Sequence, residues 1–117
     1  MTSRAELGAA GEEAAARLLE GRGLRIVARN HRCRRGEVDL VADDGELLIF
    51  VEVRTRSTEA FGGPLATVDA RKQARVVHAA RDFLARWRGP ERGVRFDVVA
   101  VVEGRATHVP GAFDAGA

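Results

Sequence analysis

Two strand-like runs, Glu37 to Asp43 and Leu47 to Arg54, flank the dipeptide Asp44-Gly45, and this stretch constrains the fold more than any other. Asp-Gly between alternating apolar runs is a strong hairpin signal, because a type I′ turn needs positive φ at both central residues. Side chains alternate faces along a strand. Glu37, Asp39 and Val41 therefore share one face, and Val38, Leu40 and Ala42 the other. Phe50, Glu52 and Arg54 share a face on the second run. If the hairpin turns at Asp44-Gly45, Asp43 pairs with Glu46, Asp39 lies opposite Phe50 and Glu37 opposite Glu52. Glu37, Asp39, Phe50, Glu52 and Arg54 then project together, with Asp39 diagonal to Glu52. A one-residue bulge would undo this register.

The remaining elements follow from punctuation and period. Ser3 with Glu6 makes a capping box for a helix from about Ser3 to Gly21, whose apolar stripe reads Leu7, Gly11, Ala14, Ala15 and Leu18. Leu24 to Asn30 is a first strand, followed by an arginine-rich loop. Thr55 to Thr67, with Phe61-Gly62-Gly63-Pro64, reads as a loop, mobile beside the acidic runs. Asp69 caps a second helix to about Trp87, with Val76, Ala80, Phe83, Leu84 and Trp87 inward and Gly89-Pro90 as its stop. Val94 to Glu103 is a long apolar strand, placed centrally. A short strand around Thr107 to Val109 and a loosely ordered tail from about 110 to 117 complete a single domain over residues 1–117. The expected class is α/β, a mixed sheet flanked by helices in the order α-β-β-β-α-β-β.

Composition narrows the setting. At 117 residues, 45 % apolar and 31 % charged, the chain has the make-up of one globular domain. No apolar run approaches the roughly 20 residues that span a bilayer, and the first residues lead into no secretory h-region. Cys33 is the only cysteine, which excludes an intrachain disulfide and fits a reducing cytoplasm. Of 19 basic residues, Lys72 is the sole lysine. Arg29, Arg32, Arg34 and Arg35 fall close together with no acid between them. A basic lip beside acids suits a phosphate-bearing polymer meeting a metal. A solvated arginine-rich loop, or simple codon bias, is the plain alternative.

Three carboxylates on one sheet face repel unless something positive sits among them. Arg54 supplies part of that charge, and a hard divalent cation such as Mg²⁺, or Mn²⁺ in its place, supplies more. Glu12 lies on the flank of the first helix's stripe, in line with Ala15 and Leu19, where a carboxylate can lean over the sheet, whereas Glu13 points to water. The plain readings are an exposed sheet face with Arg54 as a salt-bridge partner, a Glu37–Arg35 pair at a strand edge, and a helix-surface ion pair at Glu12. A buried strand, however, rarely tolerates an unpaired carboxylate.

Asp39 followed by Glu52-Val53-Arg54 resembles the metal-binding signature of the PD-(D/E)xK nuclease superfamily. Gly11-Glu12, Arg29-Asn30, Gly36-Glu37-Val38-Asp39-Leu40, Phe50-Val51-Glu52-Val53-Arg54, Lys72-Gln73 and Arg95-Phe96-Asp97-Val98-Val99 together resemble the YraN-like bacterial family, over Leu7 to Phe113. That family is assigned a restriction-endonuclease-like fold. The resemblance implies metal ligation by Asp39 and Glu52 with the Val53 carbonyl as third oxygen, and Glu12 as the helix-borne acid of the site. It implies nucleic acid, DNA above all, as partner, met by Arg29, Arg32, Arg34, Arg35, Lys72 and Gln73. One departure matters. The superfamily carries lysine where this chain has Arg54, and arginine stays protonated at any working pH, so it cannot serve as general base. Lys72 can supply the missing ammonium, and Gln73 can hold a water or phosphate, although polar residues are ordinary at a helix start. Two functional classes stay open: a Mg²⁺-dependent nuclease, and a nucleic-acid-binding protein that has kept the fold without the chemistry. A protein-interaction module is a third. A homodimer is compatible with a small domain bearing one basic loop. His31-Arg32-Cys33 finds no second pair at zinc spacing, and His78 and His108 read as surface or boundary residues. Trp87 reads as core. No Ser/His/Asp triad, P-loop or dinucleotide fingerprint occurs.

Overall fold

The computed structural model describes residues 3–56 and 68–115, the side chain of Arg4 excepted. Seven elements follow in the order α1 (Arg4–Gly21), β1 (Arg25–Cys33), β2 (Gly36–Asp43), β3 (Leu47–Arg56), α2 (Ala70–Arg86), β4 (Gly93–Val102) and β5 (Arg105–Phe113). The strands form one mixed sheet in sequence order. β3 and β4 run parallel, joined through α2, and every other neighbouring pair is antiparallel. The expected element order is present. β3, rather than the fourth strand, occupies the middle.

A helix packs on each face. Ala15, Ala16 and Leu19 of α1 bury against Leu40, Ala42, Ile49, Val51, Val99 and Val101. Val76, Val77, Ala79 and Ala80 of α2 bury against Val41, Leu48, Phe50 and Phe96. The buried stripe of α1 is therefore rotated from the expected one. Leu7 is 37 % exposed, while Ala16 and Leu19 are fully buried. Two close approaches fix how near the helices sit. A Cβ on Gly11 would lie 2.0 Å from Thr55 Oγ1, and one on Gly36 would lie 1.8 Å from the Arg75 carbonyl oxygen. A Cβ at Gly36 would force the α2 backbone to move, and one at Gly11 would force the Thr55 side chain aside.

Four boundaries differ from expectation. β1 continues to Cys33, so Arg32 joins Arg29 on the strand and only Arg34-Arg35 form the turn. The ladder keeps β1 going because His31 and Arg32 pair with Val38 and Glu37. The hairpin closes with Asp44 N–H bonding the Leu47 carbonyl (3.1 Å), two positions later in register than expected, and Asp43 pairs with Leu48. Of the turn residues only Gly45 has positive φ (98°), so the turn is not type I′, and the Asp44 carboxylate caps Glu46 and Leu47 N–H instead. β3 runs on through Thr55 and Arg56, which the sequence assigned to a loop; the rest of that loop, residues 57–67 with Phe61-Gly62-Gly63-Pro64, lies outside the described residues. Residues 110–113, expected in a loose tail, belong to β5, because Phe113 stacks on Phe96 (5.2 Å) and Gly111 N–H bonds the Asp97 carboxylate (2.9 Å).

The capping box at α1 is half formed. Ser3 Oγ accepts from Glu6 N–H (3.1 Å), while the Glu6 carboxylate accepts from the Ser3 hydroxyl rather than from its backbone. Trp87 is half-buried, its indole N–H donating to the Pro90 carbonyl (2.8 Å). Among the described residues no helix is long and apolar enough to cross a membrane.

Candidate functional site

The paired part of β2 and β3 ends at Leu40 and Val51. One residue further on, the side chains take over from the backbone. The Asp39 carboxylate accepts the Val53 N–H (2.7 Å), a donor that a continuing ladder would have consumed. In an antiparallel ladder the N–H and C=O of one residue turn to the same neighbour. The Val53 carbonyl therefore also faces β2. The two-position shift in register is even, so by itself it turns no side chain over, but it moves Glu52 level with Asp39 instead of Glu37.

The cause of the splay lies on both strands. Asn30 has φ 50°, a left-handed value that asparagine tolerates better than most residues. It sits between the pairs Arg29–Leu40 and His31–Val38, directly across from Asp39. Strict alternation fails there. Leu40 packs with the α1 cluster but Val38, two residues away, packs with the α2 cluster. The change of face at Asn30 and Asp39 thus falls where β2 parts from β3, while β1 and β2 stay paired beyond it, and the end left open is lined with acids.

Asp39 and Glu52 lie close enough that each carboxyl acts on the ionisation of the other. Burial, then the Asp39 charge and the bond to Asp39, push the Glu52 carboxyl up to about 8, against the opposing charges of Lys72 and Arg54. Burial also raises Asp39, opposed by the Val53 N–H and the Glu52 proton. Glu12 is raised by burial and by the Asp39 charge, opposed by a hydrogen bond from Asn30. Three carboxyls in one partly dry place, each harder to ionise than usual, mark a site short of positive charge.

A small cleft of about 160 Å³ opens on this cluster, lined by Glu37, Glu52, Lys72 and Arg75. A wider one of about 580 Å³ lies on the α1 side, lined by Glu12, Glu13, Arg29, Asn30 and Arg32 among others. The glycine contacts explain both walls. Gly11 brings α1 close enough to β3 for Glu12 to feel Asp39, and Gly36 brings α2 close enough to β2 for Lys72 and Arg75 to reach Glu52 and Glu37.

Among the described residues no three His, Cys, Asp or Glu side chains are grouped closely enough to hold a metal alone. The donors on hand are the two neighbouring carboxylates, with the Val53 carbonyl turned toward the same strand. All are hard oxygens, and Mg²⁺ is content with one or two carboxylates and several retained waters. The donor set fits such an ion, and its charge would relieve the crowding of Asp39 and Glu52.

The family model of the uncharacterised protein family UPF0102 matches residues 11–101. This chain belongs to the UPF0102 family. A UPF0102 protein of Anaeromyxobacter dehalogenans is 55 % identical over 115 residues, covering 95 % of this chain and 86 % of that protein. One of Myxococcus xanthus is 52 % identical, over 97 % and 93 % of the two chains. One of Moorella thermoacetica is 47 % identical, over 93 % and 91 %. The family match spans Glu12, Asn30, Glu37, Asp39, Glu52, Arg54, Lys72 and Arg75 at the open end.

Other site candidates in this UPF0102 chain separate by their partners. Arg29 is engaged by Glu13 (2.8 Å) and Arg32 by Glu37, not Arg35 by Glu37. Arg34 and Arg35 at the turn have no carboxylate partner among the described residues. The Gln73 amide donates to the Val68 carbonyl (3.1 Å), closing the start of α2 rather than reaching into the cleft. Arg54 acts on Glu52 through its charge, and its Nε is buried with no hydrogen-bond partner among the described residues.

Two features escaped the sequence reading. Arg75 lines the acidic cleft, yet in sequence it is one arginine among many on a helix. Asp97 is fully buried in β4, forked by Arg95 (Nε to Oδ1 and Nη2 to Oδ2, both 2.8 Å) and bonded to His108 (2.7 Å). His108, expected at the surface or boundary, is half-buried as a residue, with its side chain only 4 % exposed. Arg22 bonds its Nδ1 (2.8 Å), and because arginine only donates, the imidazole proton is on Nε2, toward Asp97. Burial opposes ionisation of Asp97, but Arg95, Gly111 N–H and His108 together hold its carboxyl below the usual range. An aspartate between Phe96 and Val98 was the available signal.

Proposed function

We propose that this chain is a divalent-metal-dependent phosphodiesterase acting on nucleic acid, DNA above all, on a scaffold like that of the PD-(D/E)xK nucleases. The observation that carries the reading is the Asp39–Glu52 pair at the open end of β2 and β3, both carboxyls resisting ionisation, with Lys72 beside them. Asp39, Glu52 and the Val53 carbonyl would hold Mg²⁺ or Mn²⁺. Such an ion, when bound, supplies Lewis acidity for phosphodiester hydrolysis. The chain's own groups do the rest. Lys72, from α2, stands where an ammonium can neutralise phosphate or orient water, while Arg54, always protonated, can share in neutralising phosphate but cannot act as a base. Glu12 and Asn30 line the cleft on the α1 side.

Cleavage assays on linear, nicked, flapped and four-way DNA, with Mg²⁺ or Mn²⁺ and an Asp39→Ala control, test the reading. Metal-dependent cleavage that vanishes in Asp39→Ala supports it. Cleavage that survives the substitution belongs to a contaminant. The second reading, a nucleic-acid-binding protein without the chemistry, rests on Arg54 at the usual lysine position. Salt-sensitive binding with no cleavage in any metal, and cleavage appearing in Arg54→Lys, would favour it.

A further inference from the structure

The arginines near the acidic cleft are not equivalent, and their partners give a direction to the site. On the α1 side Arg29 and Arg32 are already spoken for by Glu13 and Glu37, and Glu12 adds a further carboxyl to that wall. On the α2 side Arg34, Arg35, Arg71, Lys72 and Arg75 have no ion-pair partner among the described residues. Two clefts open along α2 on either side of the contact between Gly36 and the Arg75 carbonyl. The first holds Glu37, Glu52, Lys72 and Arg75, and the second, of about 230 Å³, holds Cys33, Arg34, Arg35, His78 and Asp82. Asp82 ends the series, its charge tied down by His31 (2.8 Å) and Arg86 (3.3 Å).

We infer that one nucleic-acid strand leaves the acidic cleft along this furrow, between α2 and the β1–β2 turn, with its phosphates held by Arg75, Arg34 and Arg35. The inference rests on the proposed function and adds the side of the molecule that the strand occupies. Guanidinium forks without a carboxylate partner are the groups left to meet phosphate oxygens, whereas those paired with glutamate must first give up that partner. The furrow is short. Lys72 and His78 are six residues apart on one helix, a rise of roughly 9 Å. That spans about two to three nucleotides at 3.4 Å each. Asp82, held by its own partners His31 and Arg86, closes the far end of the second cleft. Arg75 sits at the crossing between the two clefts, its backbone pinned by Gly36, so its guanidinium is carried by a rigid helix rather than a loop.

The test is binding of a fluorescent single-stranded oligonucleotide to the full chain in Ca²⁺, followed by anisotropy over a range of salt. Three proteins are compared: wild type, Arg34→Ala/Arg35→Ala/Arg75→Ala, and Arg29→Ala/Arg32→Ala, each checked for folding by circular dichroism. The expected result is a loss of about tenfold or more in the first triple variant. Its salt slope should flatten by about 2, since each single-strand phosphate contact contributes about 0.7. The second variant should bind within about twofold of wild type. Equal losses in both variants, or a loss confined to Arg29→Ala/Arg32→Ala, would overturn the furrow while leaving nucleic acid as the ligand. No binding by wild type at low salt would overturn the furrow and the proposed function together.

Discussion

A glutamate that holds its proton up to about pH 8 makes the folded chain lose stability as pH rises. In the unfolded chain Glu52 ionises near its ordinary 4.5. Between that value and about 8 the unfolded state has released a proton that the folded state keeps, so stability falls across this window and levels off above it. Asp39, raised as well, acts in the same direction. Glu52→Gln removes the ionisation, and its advantage over wild type should grow to roughly 1–3 kcal/mol between pH 5 and pH 9 in urea unfolding. An advantage that does not change with pH would contradict the assigned cause. Asp97 is the opposite case. It is ionised, fully buried and held by three donors, so Asp97→Asn should cost about 3–5 kcal/mol by leaving Arg95 without its counter-charge. Metal affinity should be untouched by that change, since Asp97 takes no part at the open end. Calorimetric metal titration alongside denaturant unfolding separates the two effects.

Helix placement decides whether the site exists. Gly11 and Gly36 let α1 and α2 settle against the sheet, and a methyl group at either meets its neighbour at about 2 Å. At Gly11 the obstacle is the Thr55 side chain, which can rotate, so Gly11→Ala should cost about 1–2 kcal/mol. At Gly36 the obstacle is the Arg75 backbone, which cannot move without α2, so Gly36→Ala should cost more, about 2–4 kcal/mol. Gly36→Ala should also weaken oligonucleotide binding, because α2 carries Lys72 and Arg75. Urea midpoints and anisotropy on the two variants check the order. Equal costs, or a larger one at Gly11, would mean that α2 rides more loosely than its contact suggests.

For the molecule as a whole, period and punctuation carried most of the architecture. Ser3 and Asp69 as helix caps, the Asp44-Gly45 hairpin and the apolar fourth strand are local signals, legible because short-range chemistry sets them. The adjacency of Asp39 and Glu52 was legible for a less secure reason. The hairpin register moved by two positions, and only an even shift preserves the facing of side chains. What stayed hidden depends on tertiary packing. The kink at Asn30, the close approach at Gly36, and the burial of His108 under Arg22 each require a partner far away in sequence. The rotation of the α1 stripe toward Ala16 and Leu19 is of the same kind, since either set of small residues satisfies a helical period and only the sheet chooses between them.

Isothermal titration of Mg²⁺ or Mn²⁺ into wild type and Asp39→Ala, in buffers of different ionisation heat, addresses the proposed metal site without requiring a substrate. One ion should bind wild type, more tightly at pH 8.5 than at pH 6, with release of close to one proton at the lower pH as Glu52 gives up its own. Asp39→Ala should show no saturable binding. Binding of equal strength in both proteins, or a wild-type affinity that is flat with pH, would contradict a cation held between Asp39 and Glu52.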